Sequence, residues 1–308
     1  MEREETDRIV AEISELVRTR YVFPEVGERV ARRLDEAVRT GRYAAVTDPA
    51  TLASVVTEDL QRCNDDSHLQ LIHHPRPLPD LPEGAALNAV IERRVHATMS
   101  GIGRIERLAG NIGLLEIEPA LFGVHLVGDD IAAAMRVLRH TEALIIDLRH
   151  CIGSDPGALA YFCTYLLPSG THLTDVYDRA KDLTRQYWTL PHVPGPRYGT
   201  ERPVYVLTSR QTYSGGEALA HDLRHAGRVT LVGEVTAGGA HPRIGVRVHP
   251  NLEAGIPTSR SINPVTGTDW EGVGVVPDIE APADGALKVA HAAALDHISL
   301  RPPVAAGA

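Results

Sequence analysis

Apolar side chains recur every three or four positions over residues 6–64: Ile9, Ile13, Leu16 and Val17, then Val26, Val30, Leu34 and Val38, then Leu52, Val55, Val56 and Leu60. That period places each set on one helix face and predicts three amphipathic helices packed as a bundle. Pro24 and Pro49 stand where a first helical turn tolerates proline, and Asp48 precedes the second as an N-cap. The period shortens to two over residues 67–73, through Leu69 and Leu71, which predicts a half-buried strand. The proline-rich run from Pro75 to Pro82 then reads as a linker. The chain divides into a helical unit over residues 1–75, ending in the strand that carries Ser67 and His68, and a second unit over residues 83–308.

In the second unit strands and helices alternate: strand 111–117, helix 129–138, strand 143–148, helix 156–167, strand 204–207, helix 215–225 and strand 230–232. Short wholly apolar strands such as LIID and VYVL, separated by helices, predict a largely parallel sheet covered on both faces, so the fold class is α/β. Residues 243–280, rich in Gly, Pro and Val, predict strands and turns. Residues 285–297 predict a last helix packed on the sheet. Residues 172–190 mix both periods and receive no assignment.

Charge and composition narrow the function. With 31 basic and 40 acidic residues, a net charge of −9 and a pI near 5.9, the surface is not built to neutralise phosphates, and a nucleic-acid partner is not expected. No window reaches the roughly 20 consecutive apolar residues of a membrane span. The opening MEREETDRIV is charged and enters a helix directly, unlike a signal or transit sequence, so the expected location is cytoplasmic. Cys63, Cys151 and Cys163 are odd in number and lack C-x-x-C spacing, so free buried thiols are expected. Asp65, Asp66, His73 and His74 cluster in sequence without a His-x-x-x-His pair or convergent cysteines. Neither metal nor cofactor is expected.

The strand VYVLTSR runs into QTYSGGEALA, setting Ser214 where a strand gives way to a helix. Unpaired N–H groups at a helix N-terminus favour negative charge, so a serine there has an oxyanion donor beside it in the Gly215 N–H. Taken alone, the same placement suits a simple cap. A second glycine turn, HCIGSDPG, follows the strand ALIIDLR. In a parallel sheet it can face Ser214 and offer the Gly153 N–H, or it can be a plain loop capped by Ser154 or Asp155.

The stretches DLRHCIG, TSRQTYSGGEALAHDLRHAGR, VGEVTAGGAHP and TGTDWEGVGVVPDI, with NDDSHLQL and RLAGNIGLLEI upstream, resemble the tail-specific or C-terminal-processing serine proteases. Within that superfamily they are most similar to the branch of the tricorn protease core and the interphotoreceptor retinoid-binding protein modules. The resemblance runs from the helical bundle to Asp278. It implies a crotonase-like (ClpP-like) α/β domain with a mostly parallel sheet after the helical bundle.

Two catalytic solutions exist in that superfamily. One uses a lysine about 25 residues past the serine; that position here is Gly239, and the only lysines are Lys181 and Lys288. The other, tricorn-like solution implies Ser214 as nucleophile, His68 as general base with Ser67 beside it, and Glu271, directly or through the Ser67 hydroxyl, fixing the imidazole. A histidine pKa near 6.5 suits proton shuttling at neutral pH. The loop after Arg149 departs from the usual Asn- and Gly-rich pattern, which bears on the Gly153 donor. About 30 residues separate the linker from the strand at Asn111, too few for an inserted PDZ module.

These residues predict a serine hydrolase acting on a peptide or small acyl substrate; a homo-oligomer stays open. An esterase or cyclising acyltransferase would use the same machinery. A binding module for apolar ligands is the contrasting reading, and retention of Ser214, His68 and Glu271 speaks against it.

Overall fold

The computed structural model describes residues 1–79 and 85–300. Three helices, α1 (Arg3–Arg20), α2 (Pro24–Arg39) and α3 (Pro49–Gln61), follow the apolar period read above. Both prolines open their helices, and the Asp48 carboxylate accepts the Thr51 N–H at 2.9 Å, closing the N-cap of α3. Strand β1 (Gln70–His73) is shorter than residues 67–73 and leaves Ser67 and His68 in the turn before it. Part of the proline-rich run, and residues 301–308 of the second unit, lie outside the described residues.

The second unit comprises α4 (Ala85–Ala97), β2 (Ile102–Leu108), β3 (Ile112–Ile117), β4 (Ala120–Leu121), α5 (Val124–Leu138), β5 (Ala143–Asp147), β6 (Gly153–Ser154) and α6 (Pro156–Cys163). It continues with β7 (His172–Asp178), β8 (Leu183–Trp188), β9 (Val204–Thr208), α7 (Gly215–His225), β10 (Thr230–Gly233), β11 (Arg243–His249), β12 (Leu252–Pro257), β13 (Ser259–Ile262), β14 (Ile279–Glu280) and α8 (Ala286–Ser299). The largest sheet among the described residues runs β14-β10-β9-β5-β3-β2, parallel throughout except for the β2–β3 pair at one edge.

Alternation along its strands sorts two cores. Leu144 and Ile146 of β5 face α5, α6 and α7, whereas Ala143 and Ile145 face α8, which meets them with Ala286, Ala290 and Ala294. Burial on both faces explains why LIID and VYVL read as continuous apolar runs.

The unassigned segment 172–190 forms the antiparallel hairpin β7–β8, extended by β13 on the other side of β7. The second departure concerns the N-terminal unit. Strand β1 pairs antiparallel with β12, and Leu252, Ala254 and Ile256 of β12 share one apolar core with Ile9, Val30, Leu60 and Leu69. The helical bundle therefore completes its core with a hairpin from beyond the nucleophile. Residues just after β1 follow that hairpin too, with His74 and Leu78 donating their N–H groups to Asn251 and Pro250 carbonyls.

Candidate active site

Strand β9 lies centrally in the parallel sheet, and its carboxyl end delivers Tyr213 and Ser214 to the head of α7. Ser214 takes φ 52° and ψ −114°, a conformation L-residues rarely adopt. The turn is held from two sides. The buried Glu217 carboxylate accepts the N–H groups of Ser214 (2.8 Å), Gly238 (2.6 Å) and Gly239 (2.8 Å) and the Thr236 hydroxyl (2.5 Å), tying the serine turn to the loop after β10. On the other side the loop after β5 presses against Gly215 and Gly216. A β-carbon at 215 would fall 2.5 Å from the Gly153 carbonyl carbon and collide with the Ser154 nitrogen, and one at 216 would collide with the Cys151 oxygen. The double glycine is what lets these loops touch; Ser154 Oγ donates to the Gly215 carbonyl at 3.1 Å.

The two loops expected to flank an oxyanion are thus in contact. Ser154 and Gly215 both line the cavity that opens at Ser214, and Gly153 precedes Ser154 in the turn that presses on Gly215. The cavity holds about 110 Å³. Leu159, Val176, Ala218, Pro242 and Trp270 make its apolar wall, Thr174 and Ser261 add hydroxyls, and no charged side chain lines it. Thr174, Val176 and Ser261 come from β7 and β13, which gives the segment that sequence patterns left unassigned its role.

His68 is buried, 4% exposed, with its ring stacked on Tyr213 at 4.5 Å between centroids. Its Cε1 faces Gly239: a β-carbon there would lie 2.7 Å from His68 Cε1 and 2.7 Å from Tyr213 Cζ. Gly239 also lines the Ser214 cavity. Among the described residues no hydrogen bond joins Ser214 to His68, and His68 Nδ1 is buried without a partner. Burial, opposed by Asp66 and reinforced by Arg243 and His241, lowers the His68 pKa to about 4, so the ring is neutral at neutral pH.

Glu271 and Ser67 sit beside His68 in different relations from those expected. Glu271 Oε1 accepts the Ser67 backbone N–H at 3.2 Å and Oε2 accepts the Ala240 N–H at 2.5 Å. The Ser67 hydroxyl pairs with the Tyr213 hydroxyl at 3.0 Å. Among the described residues no hydrogen bond joins Glu271 to the His68 ring or to the Ser67 hydroxyl; its carboxylate instead holds the backbone of the Ser67–His68 turn. Burial raises the Glu271 pKa, with Asp66 adding to the effect.

Asp66 holds the turn from within, accepting the His68 N–H at 3.0 Å, the Tyr21 hydroxyl at 2.7 Å and His241 Nδ1 at 2.8 Å. Donor atoms of Asp66, His241 and Glu271 lie within 4.8 Å of one another. Of these contacts, His241 Nδ1 to Asp66 Oδ2 at 2.8 Å has the length of a hydrogen bond. Sequence reasoning missed Tyr213, Glu217, Asp66 and His241. Each stands in a quoted motif, but its role appears only once distant segments meet.

An α/β domain presenting a strained serine at a helix head, beside a buried imidazole and an apolar cavity, is laid out as a serine hydrolase. Residues 111–281 match Peptidase family S41, and residues 2–98 match the N-terminal domain of Peptidase_S41 in eukaryotic IRBP. The chain belongs to peptidase family S41 and is a serine peptidase of that family. Its fold is similar to that of a putative peptidase from Parabacteroides merdae, at 16% identity and TM-score 0.62 over 96% of this chain and 97% of that one. It is likewise similar to the tricorn protease, at 15% identity and TM-score 0.63 over 96% of this chain and 37% of that one. A third likeness is to the photosystem II D1 C-terminal processing protease, at 14% identity and TM-score 0.52 over 91% and 94%. At these identities the likeness is one of fold. No helix among the described residues is long and apolar enough to cross a membrane.

Proposed function

We propose that the chain cleaves peptides by acyl transfer through Ser214 with His68 as general base. The Ser214 hydroxyl attacks the scissile carbonyl carbon and passes its proton to the imidazole. The carbonyl oxygen, now an oxyanion, takes the N–H groups of Gly215 and of the Gly153–Ser154 turn. The imidazolium returns the proton to the leaving amine as the C–N bond breaks, and a water, deprotonated by the same ring, then releases the acid from the acyl-enzyme.

The observation that carries this reading is the vacancy at Gly239. The position that would supply a lysine base has no side chain, and His68 and Tyr213 occupy the space one would need. A neutral buried imidazole is a competent acceptor, and the absence of a carboxylate on Nδ1 leaves the charge it develops to be offset by Asp66 across the turn.

The uncharged cavity of about 110 Å³ supports a small aliphatic side chain on the acyl side of the bond. A ligand of drug size needs roughly 300 Å³ or more, so the cavity does not favour the binding-module reading. The test is labelling by a fluorophosphonate. Wild type should label, Ser214→Ala should not, and His68→Ala should label at least about 1,000-fold more slowly. Labelling of Ser214→Ala, or none of folded wild type, would reject the assignment.

A further inference from the structure

Among the buried titratable side chains that the mechanism leaves unused, one adjoins the turn that carries His68. His241 is 5% exposed, lies outside the cavity lining, and stands between the segment that carries His68 and the loop that carries Glu271. Its Nδ1 is 2.8 Å from Asp66 Oδ2 and 3.5 Å from Glu271 Oε2, and its Nε2 is 3.7 Å from Asp269 Oδ2. From α1 the Tyr21 hydroxyl reaches the same Asp66 oxygen, and the Phe23 ring meets His241 edge-on at 5.3 Å. Arg260 lies over the far side of Phe23, at 5.4 Å from its centroid, and Arg243 pairs with Glu253 at 2.7 Å. Among the described residues the charged groups within 4 Å of His241 are three carboxylates, and Arg260 also acts on one of them, Asp269.

We propose that His241 is a positioning residue: as an imidazolium bridging Asp66 to Glu271 and Asp269, it fastens the His68-bearing turn of the N-terminal unit to the catalytic loop. The connection is short. Asp66 holds the His68 N–H, Glu271 holds the Ser67 N–H, and His241 is the cation between those two carboxylates. Remove its charge and the same buried carboxylates repel across the joint that sets His68 against Gly239. Burial, which alone would lower the His241 pKa, is outweighed by the hydrogen bonds to Asp269 and Asp66, and the pKa rises to about 9. The bridge is intact at neutral pH and opens as pH climbs through that value.

The inference rests on His68 as base, and the experiment separates the two. Steady-state hydrolysis of a small peptide ester is followed from pH 6 to 10 for wild type, His241→Gln and His68→Ala, with the ring nitrogens of wild-type His241 followed by ¹⁵N NMR. The wild type should lose kcat on the alkaline side near pH 9. His241→Gln should show kcat lower by about 10- to 100-fold at pH 7.5, the scale of an ångström misplacement, with KM within about twofold and no limb at pH 9. The NMR signals should be those of a doubly protonated ring at pH 7.5.

A neutral His241 at pH 7.5 overturns the proposal. So does a His241→Gln enzyme with wild-type kcat and the same alkaline limb, while His68→Ala is inactive. A fully active His68→Ala enzyme removes the base assignment and the positioning role together. Should His241→Gln fail to fold, the titration of the wild-type ring decides.

Discussion

Replacing Gly239 by alanine adds one methyl group at the point where the base approaches the nucleophile's loop. Built on the existing backbone, that carbon collides with Tyr213 Cε2 and lies 2.7 Å from both His68 Cε1 and Tyr213 Cζ. Carbon atoms in contact sit at about 3.5–4.0 Å, so the two rings must retreat by about 1 Å. The backbone at 239 does not require glycine for its φ, so the clash with the rings is the whole perturbation. Overpacking of this size costs about 1–3 kcal/mol. If the strain is relieved by moving His68, one factor of ten in rate per 1.36 kcal/mol gives a loss of about 5- to 150-fold in kcat/KM. If the fold resists instead, the same energy appears as a lower midpoint in urea. Hydrolysis of a peptide ester and a urea titration of the same variant together account for it. A Gly239→Ala enzyme with both wild-type kcat/KM and wild-type stability would show that His68 does not occupy that space in solution, and the reasoning for the base would fail.

The buried His68 ring predicts a kcat/KM that is flat from pH 5 to 8, with its acid limb displaced toward pH 4; an acid limb centred at the ordinary 6.5 would contradict its burial. Asp222 on α7 is buried, neither of its oxygens has a hydrogen-bond partner among the described residues, and burial raises its pKa well above the usual range. A raised carboxyl pKa gives stability that is complete below the unfolded value and is lost as pH rises. Asp222→Asn should therefore flatten the decline of unfolding free energy as pH rises above the ordinary carboxylate pKa, measured by urea titration, and an unchanged slope refutes it. Glu217→Gln puts an NH₂ among four hydrogen-bond donors, leaves at least one of them unpaired, and should cost about 1–3 kcal/mol of stability while slowing labelling of Ser214; wild-type values of both would exclude the clamp. Val176→Ala enlarges the cavity and should shift preference from alanyl toward leucyl acyl groups by about tenfold or more in kcat/KM, an effect absent if the substrate lies elsewhere.

How much of this was legible in the sequence depended on the range of each interaction. The three N-terminal helices, the parallel strands and α7 follow from local periodicity and caps, because a buried strand or an amphipathic helix declares its neighbours in its own pattern. The hairpin β7–β8 did not, since β8 is exposed along most of its length and carries no regular apolar face. The helix α4 and the edge strand β2 were passed over as part of the spacer before Asn111. At the site, Ser214 and His68 stood in motifs. The partners of Glu271 and Ser67 and the Glu217 clamp were hidden, because each depends on loops separated by tens to hundreds of residues. The imidazole that an ordinary pKa would make half-charged near neutrality is neutral because its surroundings exclude water, a property no local pattern records.

The pairing of β1 with β12 makes synthesis order matter. A ribosome that has just finished α7 has produced both reactive side chains, yet the strand that seats one against the other, and the acid that steadies its turn, still lie ahead in the message. During that interval the helical bundle is missing Leu252, Ala254 and Ile256 from its interior. The core of the bundle and the turn that bears Ser67 and His68 thus gain their last contacts only once residues 252–271 have been made.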